Sequence, residues 1–130
     1  MKSVIKKLMT VLIIIVMLLS FAACAKKDEG NVVGKVHYKV EYHDEILYED
    51  DIEVNNQSVY DLLEVAKLEY DMNNSIMGVY ISSLCGHAEK EEGAMSGWEY
   101  FVNDKPGTVA CDKYICKDKD NILWKYAYEK

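Results

Sequence analysis

The chain has 130 residues, half of them hydrophobic and 11% aromatic, and it carries 22 acidic against 15 basic side chains. A chain of this length holds one small domain around one core. Its acidic balance argues against nucleic acid and anionic lipid headgroups as partners, because like charges repel.

MKSVIKK opens the chain, followed by an apolar run from Leu8 to Leu19 broken only by Thr10, then Ser20, Phe21, Ala22 and Ala23. Basic, apolar and small residues in that order are the pattern of an export signal, and the run is short for a membrane-spanning helix. Cys24, directly after the two alanines, resembles the lipobox cysteine of bacterial lipoproteins, with Phe21 standing where Leu is usual. The resemblance implies a lipoprotein signal peptide over residues 1–23 and lipidation at Cys24. The chain would then sit on the extracellular face of a bacterial cell membrane, held by its lipid anchor only. An uncleaved anchor and an ordinary cleaved secretion signal are the alternatives. Two acyl chains on one residue anchor stably, at about 0.8 kcal/mol per buried methylene. Removal of residues 1–23 takes away Lys2, Lys6 and Lys7 and leaves 107 residues, with 12 basic against 22 acidic groups. Residues 24–34 read as a tether and residues 35–130 as the folded domain.

The domain begins with KVHYKVEYH, where Val36, Tyr38, Val40 and Tyr42 alternate with polar residues, the period of a half-buried strand. Beyond Asp44 and Glu45 a second alternating run places Ile46, Tyr48, Ile52 and Val54 on one face, with Asp50 out of pattern, so the two strands form a hairpin. In SVYDLLEVAKLEY the residues Val59, Leu62, Leu63, Ala66 and Tyr70 make one helical stripe, and Ser58 with Asp61 has the spacing of a capping box. Residues 71–75 end that helix. GVYISSLCG then reads as a buried strand, residues 86–97 as a polar acidic loop, WEYFV as a strand, and residues 103–107 as a turn. After an irregular stretch, ILWKYAY is a last strand with Ile122, Trp124, Tyr126 and Tyr128 on one face. The expected fold class is α+β: a single small β-grasp-like domain with an N-terminal β-hairpin, one main helix and further β-strands.

The segments SVYDLLEVAKLEY, GVYISSLCGHAEK, GWEYFVNDKPG and YICKDKDNILWKY together resemble the transcobalamin-like C-terminal domain. That domain occurs in bacterial surface proteins and as the smaller half of intrinsic factor and transcobalamin. The likeness runs from about Ser58 to Tyr128. Many bacterial members carry glycine at the two turns where this chain has Asp104 and Lys119, and Lys tolerates a positive φ less well than Asp. The resemblance implies a ligand-binding module and no enzyme, with a corrinoid such as cobalamin as the ligand and a transporter or other surface protein as partner. It places the contact surface on residues 79–84, residues 98–102 and the turn 106–108. Within these segments Tyr80, Trp98, Tyr100 and Pro106 are the expected exposed contacts, while Phe101 and Trp124 are assigned to the core.

Two rival functions stand beside this one. With Cys24 lipidated, an odd number of thiols remains; Cys85, Cys111 and Cys116 with His87 are a Zn ligand set in type, though their spacing matches no standard finger. A disulfide among the three, or buried free thiols, is the plainer alternative. The second rival is a protein-interaction module using an exposed sheet face or edge. The acidic runs at Glu49–Glu53 and Asp118–Asp120 lack the length of a calcium loop, and no nucleophile motif or phosphate loop is present.

Overall fold

The structure, a computed structural model, describes residues 3–7 and 33–128. The chain divides into two compact units, Met1–Asn31 and Val32–Lys130. In the first, residues 3–7 are helical and exposed. The apolar run, Cys24 and the tether up to residue 32 lie outside the described residues.

The second unit is mainly β. Its strands are β1 (Gly34–Tyr42), β2 (Glu45–Val54), β3 (Tyr70–Ser75), β4 (Gly78–Leu84), β5 (His87–Ala88), β6 (Gly97–Val102), β7 (Lys105–Pro106) and β8 (Asn121–Ala127), with one short helix, α1 (Asp61–Val65). One sheet has the strand order β2, β1, β8, β6, β7, and a second the order β3, β4, β5. All pairs are antiparallel except β1 with β8, the first and last strands of the domain.

Alternation in β1 and β8 sets the core. Val36, Tyr38 and Val40 face the same side as Ile122, Trp124 and Tyr126, and all six are buried. Tyr38, fully buried, satisfies its hydroxyl twice: it donates to the Val59 carbonyl at 3.1 Å and accepts from Trp124 Nε1 at 2.7 Å. That pair of bonds joins β1, the entry to α1 and β8 at one point, as a buried hydroxyl requires.

β1 and β2 form the expected hairpin through His43 and Asp44, but a β-bulge after Val40 shifts the register. Tyr48 pairs with Val40 and Ile46 with Glu41, so Ile46 turns to solvent and is half exposed, while Leu47 packs against the core. One inserted residue exchanges the faces of a strand, which is why Ile46 departs from its expected stripe.

The helix is shorter than its apolar stripe. Its start is as expected: Asp61 N–H donates to Ser58 Oγ at 3.1 Å, and Ser58 N–H to the Asp61 carboxylate at 2.9 Å, a reciprocal capping box. Val59, Leu62 and Leu63 are fully buried. The end comes early because Lys67 adopts a left-handed φ of 55°. Its N–H bonds the Glu64 carbonyl at 3.0 Å and Leu68 N–H the Leu63 carbonyl at 3.0 Å, the paired bonds of a Schellman stop. Tyr70 therefore leaves the helix and opens β3, and residues 71–75, expected to end the helix, pair with β4. β4 is half buried, with Ile81 and Leu84 inside and Tyr80 outside.

A stop of this kind usually carries glycine, since a side chain at positive φ costs about 1–2 kcal/mol. Lys67→Gly removes that cost, and thermal denaturation is expected to show a gain of about 1 kcal/mol. A loss of stability would mean that the Lys67 side chain contributes more than its backbone strain.

The two turns where glycine gives way to other residues keep the left-handed geometry. Asp104 has φ 68° and Lys119 φ 66°. Asn103 at φ 52° precedes Asp104, making a two-residue turn with both central residues left-handed, the form that matches strand twist between β6 and β7.

Residues 107–120 have little regular structure, yet three backbone bonds fix them to the start of α1: Tyr60 N–H to the Cys111 carbonyl, Val59 N–H to Tyr114, and Cys116 N–H to Gln57. Asp120, 6% exposed, closes the segment by accepting from Lys117 N–H, the Tyr114 hydroxyl and the Asn103 side-chain amide at 2.8–2.9 Å.

Candidate functional site

Between β4 of the smaller sheet and β6 of the larger lies a cavity of about 330 Å³. Its walls come from five places: Val79, Tyr80 and Ile81 on β4; Trp98, Glu99 and Tyr100 on β6; Pro106 with Gly107; Ala110 with Cys111; and Trp124 on β8. The sheet registers explain the aromatic wall. Antiparallel pairing sets Trp98 opposite Tyr126 and Tyr100 opposite Trp124, and directly paired residues share a face. The rings interlock, Tyr100 with Trp124 at 5.6 Å between centroids and Trp98 with Tyr126 at 5.3 Å.

Tyr80, Trp98, Tyr100 and Pro106 all line this one cavity. Their exposure differs from expectation for two of them. Tyr80 and Pro106 are exposed, but Trp98 is 5% and Tyr100 9% accessible, because the face of β6 they occupy is the core face of the sheet. Phe101, expected in the core, is half buried on the opposite face, paired with Leu123 and Pro106. Trp124 is in the core, 2% exposed, and reaches the cavity as well. Ala110 and Cys111 escape sequence reasoning as wall residues, since nothing in an irregular segment marks which side chains point inward.

The polar ends of the rings are occupied within the protein. Trp98 Nε1 donates to the His87 carbonyl at 2.8 Å, Trp124 Nε1 to the Tyr38 hydroxyl, the Tyr100 hydroxyl to the Val109 carbonyl, and the Tyr80 hydroxyl to the Glu89 carboxylate at 2.5 Å. Burial, and next the bond to Glu89, push the Tyr80 hydroxyl up to about 12, so it stays protonated at neutral pH. Gly107 lies against the ring of Tyr100, and a methyl group there would fall within that ring. The cavity beside Tyr100 thus depends on glycine at this position.

The sulfur and imidazole set does not assemble. Cys85 is half buried, Cys111 and Cys116 are buried, and all three are free thiols. Burial, reinforced by Asp112 and Asp120 respectively, pushes Cys111 and Cys116 up to about 12, which disfavours the thiolates a metal needs. His87 lies flat on Tyr42 with ring centroids 3.6 Å apart. Among the described residues no group of three or more His, Cys, Asp or Glu side chains converges as a metal ion would require. These residues do not fit a zinc centre.

A family profile described as a domain of unknown function, DUF4430, matches residues 54–127, more than half of the chain. The chain belongs to the DUF4430 family. No curated protein matches it. Among solved structures, haptocorrin in complex with Cbi has a TM-score of 0.65 at 18% identity over 75% of this chain and 25% of that one. A proposed metal binding protein from Ruminococcus gnavus ATCC 29149 has a TM-score of 0.63 at 12% identity over 75% of this chain and 99% of that one. The DUF4430 chain therefore shares the fold of part of haptocorrin and spans a quarter of its length, a transcobalamin-like fold in coarse outline. Both neighbours are described as bound to a ligand or as binding proteins, neither as an enzyme.

Proposed function

We propose that this chain is a cell-surface lipoprotein whose DUF4430 domain binds a small organic ligand, without catalysis, in the aromatic cavity between its sheets. The observation that carries the proposal is the convergence of Tyr80, Trp98, Tyr100 and Pro106 on that cavity. Ligand pockets are lined mostly by apolar and aromatic side chains, as this cavity is. A corrinoid is the first candidate, supported by the haptocorrin fold. A cavity of about 330 Å³ is at the lower end for ligand pockets. It seats one part of such a ligand, so a second protein, such as a transporter component, completes the site. The hairpin, α1 and a last strand parallel to the first support the β-grasp-like description. A metal-binding role, suggested by the R. gnavus neighbour, finds no ligand set among the described residues.

Both tryptophans of the chain line the cavity, so intrinsic fluorescence reads it directly. Cobinamide or cobalamin titrated into the full chain in detergent is expected to quench that fluorescence saturably, with a Kd of about 1–100 µM for half a site. Tyr80→Ala, at an exposed position, should weaken binding about tenfold and leave the melting temperature unchanged. A linear, unsaturable response would remove the corrinoid from consideration. Cys24 as a lipidated N-terminus is tested by fractionation in a Gram-positive host: the parent should pellet with membranes and Cys24→Ser should not.

A further inference from the structure

We propose that the aromatic cavity selects an organic cation, a positive charge wrapped in methyl or methylene groups such as a quaternary ammonium. This rests on the reading of the cavity as the ligand site and narrows the chemistry of what enters it. Four rings, Tyr80, Trp98, Tyr100 and Trp124, line the cavity, and the hydroxyl or N–H of each is already committed to a partner inside the protein. What they offer a ligand is ring surface, whose quadrupole attracts cations.

The charged residue among those lining the cavity is an acid, Glu99. Glu89 holds the Tyr80 hydroxyl, and Asp112 lies beside Cys111. Glu99 is also close enough to Tyr80 to disfavour ionisation of its hydroxyl, adding to burial and Glu89. No Lys or His is among the lining residues. Lys113 pairs with Asp112 at 3.7 Å, and Lys125 faces Glu99 across β6 and β8; neither lines the cavity. An anion entering would meet carboxylates, at a cost that a cation does not pay. A quaternary ammonium needs no hydrogen bonds and gains from both rings and carboxylate.

Choline and neohexyl alcohol, its uncharged isostere with carbon in place of nitrogen, separate charge from shape. Added to the full chain in detergent, choline is expected to quench tryptophan fluorescence saturably and to bind about tenfold tighter than the alcohol. Glu99→Gln, at an exposed position, should cut that preference to about threefold or less without lowering the melting temperature. Tyr80→Leu should weaken choline about tenfold and the alcohol much less. Equal binding of the two probes overturns the cation inference and leaves the cavity as a ligand site. A response to cobinamide but to neither probe does the same. Silence from all three ligands overturns both readings. A choline preference unchanged in Glu99→Gln and Tyr80→Leu alike assigns choline to another place on the protein and overturns the inference too.

Discussion

Trp98→Ala is expected to cost about 3–5 kcal/mol, a large part of the stability of a domain this small. Trp98 is almost fully buried, its ring lies against Tyr126, and its N–H is bonded to the His87 carbonyl, which ties β6 to β5. Truncation leaves a void in the aromatic layer and strips the carbonyl of its donor. The loss reads directly as a lower urea midpoint at unchanged m-value. Trp98→Phe, which keeps a ring and forfeits only the N–H, should lose about half as much or less. The role of Trp98 as a cavity wall therefore has to be tested with the phenylalanine variant, at a temperature where it is folded. A Trp98→Ala protein as stable as the parent would show that β6 does not hold this side chain against Tyr126.

Asp120→Ala is expected to cost about 3 kcal/mol, since it takes the acceptor from Lys117 N–H, the Tyr114 hydroxyl and the Asn103 amide together, three part-buried bonds at about 1 kcal/mol each. Asn103 in turn holds Asn121 at the start of β8 by two bonds of 2.8 Å, so the damage reaches the central strand. The same residue gives the domain an acid-sensitive joint. Burial alone would raise the Asp120 carboxyl, but the bonds from Lys117 N–H, Asn103 and Tyr114, with the charge of Lys117, outweigh it and hold the group below its usual value of 3.8. A carboxyl depressed in the folded state contributes stability that is complete above its unfolded pKa and lost as pH falls through the folded one. The stability difference between the parent and Asp120→Asn should therefore be constant from neutral pH down to about 5 and shrink below about 4. Denaturation series at several pH values measure it; a difference that persists unchanged at low pH would mean that the carboxylate charge is not what holds the turn.

Local chemistry determined a good part of this domain. Period two in KVHYKVEYH and ILWKYAY set the two central strands and their buried faces, because alternation is a property of each strand alone. The Ser58 and Asp61 pair marked the start of α1 for the same reason, both partners lying within one turn. Tyr80, Trp98, Tyr100 and Pro106 were legible as residue types on their segments. Their convergence was not: it required the β6 to β8 register, the approach of β4, and a glycine at 107 beside Tyr100. Tertiary structure also decided where patterns stop. The bulge after Val40 exchanged Ile46 for Leu47, and the left-handed Lys67 ended an apolar stripe that period alone would have carried to Tyr70. In each case the deciding interaction joins residues far apart in the chain or opposes a local preference, and the energy of burying one more ring or strand against the core exceeds the small cost of a strained lysine or a displaced register.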